Sequence, residues 1–175
     1  MAGRKMARFT AVCVMFLGLL SSIGCYESEY TIGTVQTAVV DRGYVGDFTF
    51  TMENKPASLV IRNFDDKQYY VEWGDGQGRD RCAGFTGEIK GVTFANLRGM
   101  RGDRAFEEKY LIMRVSLSDD LSTLTIRNLN EDFFKVRNIG SSAALRAVIE
   151  SNLDNDAMYD KDIVVAKRVA TTRPD

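Results

Sequence analysis

The chain has 175 residues, with 23 Lys and Arg against 24 Asp and Glu, three Cys and no His. Without histidine there is no Ser/His/Asp or Cys/His catalytic arrangement and no Cys/His zinc site, and the commonest general base is missing. Three of the cations and none of the acids precede residue 25, which leaves a net charge of −4 on the remainder; so mild an acidic balance argues against nucleic acid, whose phosphates require clustered cations.

Arg4, Lys5 and Arg8 make a basic start, Phe9 to Leu20 is an almost unbroken apolar run, and Ser21-Ser22-Ile23-Gly24 leads into Cys25. That order is a secretory signal peptide, since the apolar run is shorter than the roughly 20 residues a bilayer span requires. The end of it resembles a bacterial lipobox, with Gly24 and Cys25 matching the pattern and Ser22 standing where Leu, Val or Ile is preferred. The resemblance implies cleavage before Cys25 and diacylglycerol on its sulfur, so that residues 1–24 are signal and Cys25 is the lipid attachment site. Two or more acyl chains hold a soluble domain at a membrane surface, tethered and not embedded. Tyr26 in place of Asp implies, by resemblance to the enterobacterial sorting pattern, the outer membrane facing the periplasm. The alternative is an ordinary signal cut, a soluble periplasmic or secreted domain, and a disulfide between Cys25 and Cys82, the two cysteines that remain once Cys13 has left with the signal.

Residues 25–30 read as a tether, 31–170 as one domain and 171–175 as a frayed tail; about 150 residues make one core. Thr31 to Val40 reads as a first strand. Phe48, Phe50 and Met52 then alternate with Thr49 and Thr51 at the two-residue period of a half-buried strand. Leu59 to Phe64 and Gln68 to Trp73 are two strand-like runs joined by the polar link Asp65-Asp66-Lys67, and Tyr69, Val71 and Trp73 share a face, read as core packing. The glycines of Gly74 to Arg81 fail the spacing of a phosphate loop and read as a hairpin loop. A change of apolar parity near Lys90-Gly91 suggests a β-bulge. The clearest hairpin pairs Leu111, Met113, Val115 and Leu117 with Leu124 and Ile126 across Ser118-Asp119-Asp120.

Asn130 is placed to cap a short helix bearing Phe133, Phe134 and Val136, which are expected to plug the sheet. Ser141 or Ser142 caps a second helix, in which Leu145, Val148, Ile149 and Leu153 recur at helical spacing. Ile163 to Val169 forms a last strand. The fold class is therefore mainly β, in the α+β sense: a curved antiparallel sheet or partly closed barrel with one or two short C-terminal helices. Leu59 to Asn63 and Leu124 to Asn128 match at four of five positions, read either as a duplicated hairpin or as two similar amphipathic strands.

Several groupings carry no chemistry. Arg79, Arg81, Arg98, Arg101 and Arg104 read as a solvated loop face. The cluster Asp154, Asp156, Asp160 and Asp162 lacks the Gly and Glu of a calcium loop, so no metal site and no cofactor is expected.

From Phe85 to Leu97 and from Tyr110 to Phe134 the chain resembles a family of small exported bacterial lipoproteins. The pattern runs Phe85, Ile89, Gly91, Phe94, Leu97, then Tyr110-Leu111, Arg114, Leu117, Leu124-Thr125, Leu129, Glu131 and Phe134. These are strand-face and turn residues, so the resemblance implies a β-domain and no catalytic residues. A more distant similarity is to calycins, whose first strand carries Gly-x-Trp where Gly33-Thr34-Val35 stands here. The leading expectation is a lipid-anchored cell-envelope protein, not an enzyme, with a structural or partner-binding role. A second is a calycin-like carrier holding a small apolar ligand against Phe48, Phe50, Leu111 and Met113. A remote third is a carboxylate-dependent glycosidase, which requires two close carboxylates in an open cleft.

Overall fold

Alternation of apolar and polar residues governs most of the chain, and the computed structural model, which describes residues 26–52, 54–74, 78–100 and 109–170, shows where each face goes. The strands are β1 (Glu27–Ser28), β2 (Gly46–Met52), β3 (Lys55–Asn63), β4 (Tyr69–Gly74), β5 (Arg79–Ile89), β6 (Val92–Gly99), β7 (Tyr110–Leu117), β8 (Thr123–Leu129) and β9 (Tyr159–Arg168). Each strand from β2 to β9 pairs antiparallel with its sequence neighbour, and β2 also pairs with β9, so eight strands close in simple up-and-down order. Closure removes the exposed edges that an open sheet would offer to other chains. Of the two forms expected, a curved antiparallel sheet or a partly closed barrel, the sheet takes the barrel form, and it closes.

The alternating faces produce two cores. The inward face carries Phe48, Leu59, Ile61, Val71, Leu97, Met113 and Leu124. The second core lies outside the wall, where Phe94, Ile112 and Leu129 meet Ile32, Phe134, Leu145 and Ile149. The helices that build it are α1 (Glu131–Lys135) and α2 (Ser142–Glu150), both in the β8–β9 connection. The Asn130 side chain accepts from the N–H groups of Asp132 (2.9 Å) and Phe133 (3.3 Å), and the Ser141 hydroxyl accepts from Ala144 N–H (3.1 Å), each satisfying otherwise orphaned donors of a first turn. Phe133 and Phe134 therefore do not plug the barrel; they pack on its outer wall, and Val136 is 82% exposed. The reason is the position of the helices, on a connection that leaves one barrel end and runs down the outside.

Three further expectations are corrected. Residues 26–30 are not a slack tether: β1 pairs with β7, Tyr26 N–H donates to Leu129 C=O (3.2 Å), the Tyr26 ring stacks on Phe134 at 4.3 Å, and Ser28 is buried. Thr31 to Val40 forms no strand, because Gly33 turns the chain at φ +81° and a short 3-10 turn follows at Val35–Thr37. The parity change at Lys90-Gly91 is a tight turn and not a bulge: Ile89 pairs with Val92, and the two residues between take φ of +49° and +76°, the sense of a type I′ hairpin. The hairpins across Asp65–Lys67 and Ser118–Asp120 form where expected. Residues 1–25, with the signal segment and Cys25, and the tail 171–175 lie outside the described residues. Among the described residues no helix is long and apolar enough to cross a membrane.

Candidate functional site: an apolar cavity inside the barrel

Eight-stranded barrels of this size are either filled by their own side chains or left with room for one small ligand. The difference here is made by β5. Strand pairing sets Asp80 beside Trp73, Cys82 beside Val71, Gly84 beside Tyr69 and Thr86 beside Ala95, so the inward positions of β5 from Asp80 to Thr86 are all short side chains. They leave a cavity of about 330 Å³. That size sits at the lower end of the usual range for small-molecule pockets.

The lining is layered. At one end lie Tyr44, Tyr69 and Thr86; aliphatic and Met side chains such as Leu59, Ile61, Leu97, Leu111, Met113 and Val115 form the middle; Phe50, Met52, Trp73, Asp80 and Asn128 lie toward the other end. The first end is closed by the chain itself. A 3-10 turn at Arg42–Tyr44 crosses it, Tyr69 OH accepts from Asp41 N–H at 2.6 Å, and Arg168 donates to the carbonyls of Leu121 (2.6 Å), Val45 (2.7 Å) and Gly43 (2.5 Å). The Arg168 guanidinium also lies 4.6 Å from the centre of the Phe48 ring. At the second end the lining residues Met52, 40% exposed, and Asp80 reach solvent. Among the described residues nothing crosses that end as the Arg42–Tyr44 turn crosses the first; residues 75–77 and 101–108, which connect strands there, lie outside them.

Electrostatically the chamber is mild. Burial raises the pKa of both Tyr44 and Tyr69, keeping their hydroxyls neutral and able to donate or accept. Asp80 is the one carboxylate among the described lining residues. The charged groups near it lie on the outer face, where Glu72 accepts from Tyr70 OH (2.7 Å), from Arg81 (3.2 Å) and from Arg79.

Of the residues expected to face an apolar ligand, Phe50, Leu111 and Met113 line the cavity; Phe48 is buried in the same core under Arg168 without lining it. Tyr69, Val71 and Trp73 share the inward face, as their spacing indicates, and all three border the cavity rather than a filled core. The two similar pentapeptides contribute equivalent side chains, Leu59 and Ile61 from β3 and Leu124 and Ile126 from β8. Tyr44 and Asp80 were missed; the signal that points to the cavity is the run of short residues at alternate positions of β5. Arg79 and Arg81 are ion-paired with Glu72, and Arg98 stands 5.8 Å from the Tyr110 ring; Arg101 and Arg104 lie outside the described residues. In the acidic cluster, Asp156 pairs with Arg127 at 3.1 Å, and among the described residues no group of three or more His, Cys, Asp or Glu is placed to hold a metal ion.

Compared with known proteins, the chain matches no family model, no curated protein and no solved structure. Its reading therefore rests on the barrel and its cavity.

Proposed function

We propose that this protein is an exported, lipid-anchored barrel that binds a small apolar ligand in its interior, in the manner of a calycin, with Cys25 as the anchor in a bacterial cell envelope, at the outer membrane. The single observation that carries the binding reading is the apolar cavity of about 330 Å³. An apolar ligand entering it removes its own surface and that of the lining from water, at about 25 cal/mol per Å², while the two tyrosine hydroxyls, Thr86, Asn128 and Asp80 offer a few polar contacts for orientation. Hydrolysis of glycosides is disfavoured because the described lining supplies one carboxylate where that reaction uses two. Lipidation of Cys25 is favoured over its pairing with Cys82, because Cys82 is fully buried in the inner core while Tyr26 packs on the outer one.

A structural or partner-binding role draws support from the outer face of β9, where Ile163 and Val165 are 52% and 48% exposed in one row. The two readings separate by experiment. Full-length protein expressed with its own leader is extracted from membranes and examined by native and denaturing mass spectrometry. The ligand reading expects a small apolar molecule released on unfolding and lost from an Ala95→Phe variant, whose added ring fills the chamber beside Thr86 and Met113. A wild-type protein that neither carries nor takes up any apolar molecule refutes it.

A further inference from the structure

The outer wall carries a pair of charges that neither the cavity nor the outer core explains. Arg114 of β7 and Arg127 of β8 are direct cross-strand partners. Met113, Val115, Ile126 and Asn128 line the cavity, so alternation sends both arginines outward. Like charges set directly opposite each other destabilise a sheet, and both side chains are half-buried, where water screens them less. The two guanidiniums stand over the Tyr159 ring, Arg127 at 4.3 Å and Arg114 at 5.8 Å from its centre. The ring is held by its hydroxyl, which donates to Leu153 C=O at 3.0 Å. Tyr159 thus orients the pair without neutralising it. Among the described residues the one carboxylate paired with either arginine is Asp156, which meets a terminal nitrogen of Arg127 at 3.1 Å from a side chain 92% exposed. The Arg127 Nε is buried and has no hydrogen-bond partner within the protein.

We propose that Arg114 and Arg127, together with Ser116 and Thr125, form a binding site on the outer wall for the phosphate group of a phosphate ester. Ser116 and Thr125 are partners in the same ladder, two residues along each strand from the arginines and on the same outward face. Two guanidiniums and two hydroxyls offer more donors than the two oxygens of a carboxylate can use, whereas a phosphate presents three strong acceptor oxygens to them. A bound phosphate removes the repulsion between the arginines and gives the Arg127 Nε–H an acceptor. On β9 the row continues with Ile163 beside Arg127 and Val165 beside Thr125, both about half-exposed. They form an apolar shelf for the ester substituent. The same phosphate chemistry comes from a lipid headgroup or from free phosphate, and the shelf favours the lipid. The site lies on the opposite face of the wall from the cavity and stands independently of the ligand and anchor readings.

The test follows the Nε–H resonances of Arg114 and Arg127 by nitrogen-edited NMR, using the full-length chain expressed with its own leader and held in a non-ionic detergent. Inorganic phosphate is titrated at pH 7 and constant ionic strength, with chloride making up the balance. Saturable shifts are expected at both arginines. Arg114→Gln is expected to weaken binding about tenfold, the loss of one charge-assisted contact. Asp156→Asn is expected to tighten it about threefold, because the competing surface ion pair is gone. A second titration uses dihexanoyl phosphatidic acid below its micelle concentration. Tighter binding than inorganic phosphate, with shifts spreading to the Ile163 and Val165 methyl groups, assigns the site to a lipid phosphate; equal affinity without methyl shifts assigns it to free phosphate. Shifts that rise linearly without saturating, or that persist unchanged in Arg114→Gln, overturn the proposal. So does unchanged affinity in Asp156→Asn, a surface substitution that leaves the fold in place if the arginine variant does not.

Discussion

Asn96 grips Ile32 at both of its backbone polar groups: the side-chain oxygen accepts from Ile32 N–H at 2.8 Å and the side-chain amide donates to Ile32 C=O at 3.1 Å, with a further bond to Phe85 C=O at 3.3 Å. Asn96 and Ile32 are both fully buried on the outer wall, 64 residues apart in sequence. The pair fixes the N-terminal segment to the barrel. Its neighbour Gly87 makes the fit possible, because a Cβ there would collide with the Ile32 carbonyl. Asn96→Ala strands two buried backbone groups, each worth about 1–3 kcal/mol. A loss of about 2–4 kcal/mol is expected in urea unfolding, with early amide exchange confined to residues 26–33.

Arg168 seals the closed end through three backbone carbonyls on two parts of the chain, Gly43 and Val45 of the Arg42–Tyr44 turn and Leu121 of the β7–β8 hairpin. Arg168→Ala is expected to cost about 2–3 kcal/mol, and Arg168→Lys to recover little of it, because an ammonium cannot present the planar fork that reaches all three. Thermal unfolding of the two variants checks the order. A fully rescued lysine variant would mean that charge, and not fork geometry, closes this end.

Trp73 is the only tryptophan in the chain and it lines the cavity. Its emission therefore reports on the site without any label. Titration with an apolar ligand is expected to shift the emission to the blue, and a brominated analogue to quench it. Ala95→Phe is expected to remove both responses while the folded far-UV signal persists. An unchanged spectrum in the presence of demonstrated binding would place the ligand elsewhere.

Glu72 supplies a pH dependence. The Tyr70 hydroxyl first, and then the Arg79 and Arg81 guanidiniums, lower its carboxyl from the ordinary 4.5 to about 2. A folded-state value below the unfolded one means that the contribution is complete above the unfolded value and is lost as pH falls through the folded one. Stability is expected to drop between about pH 4.5 and pH 2, and Glu72→Gln to flatten that part of the profile. Because the group is at the surface, its effect at neutral pH is small, about 0.5–1 kcal/mol in urea unfolding.

Lys90 offers a stabilising change. It holds φ +49° in a two-residue turn before Gly91, a conformation that Asn adopts more readily. Lys90→Asn is expected to gain about 0.5 kcal/mol, measured as a higher urea midpoint, even though the surface pair with Glu150 at 3.4 Å is lost.

The local rules were legible in the chain alone. Two-residue alternation marked β2, β4, β7 and β8, because a half-buried strand must send successive side chains to opposite sides. Asn130 and Ser141 marked the helix starts, since side-chain oxygens there satisfy donors that no helix can satisfy internally. The absence of histidine restricted the chemistry before any fold was known. Tertiary structure decided what each face touches. Phe133 and Phe134 read as apolar either way; whether they fill the barrel or cover its wall depends on the path of the β8–β9 connection. Residues 26–33 look polar and loop-like, yet Asn96 and Gly87 hold them down across more than fifty residues of sequence. The cavity has the same origin: the short side chains of β5 are unremarkable one by one, and they leave space only when eight strands close around them. Periodicity is a property of neighbours in sequence, whereas a cavity belongs to residues brought together by closure.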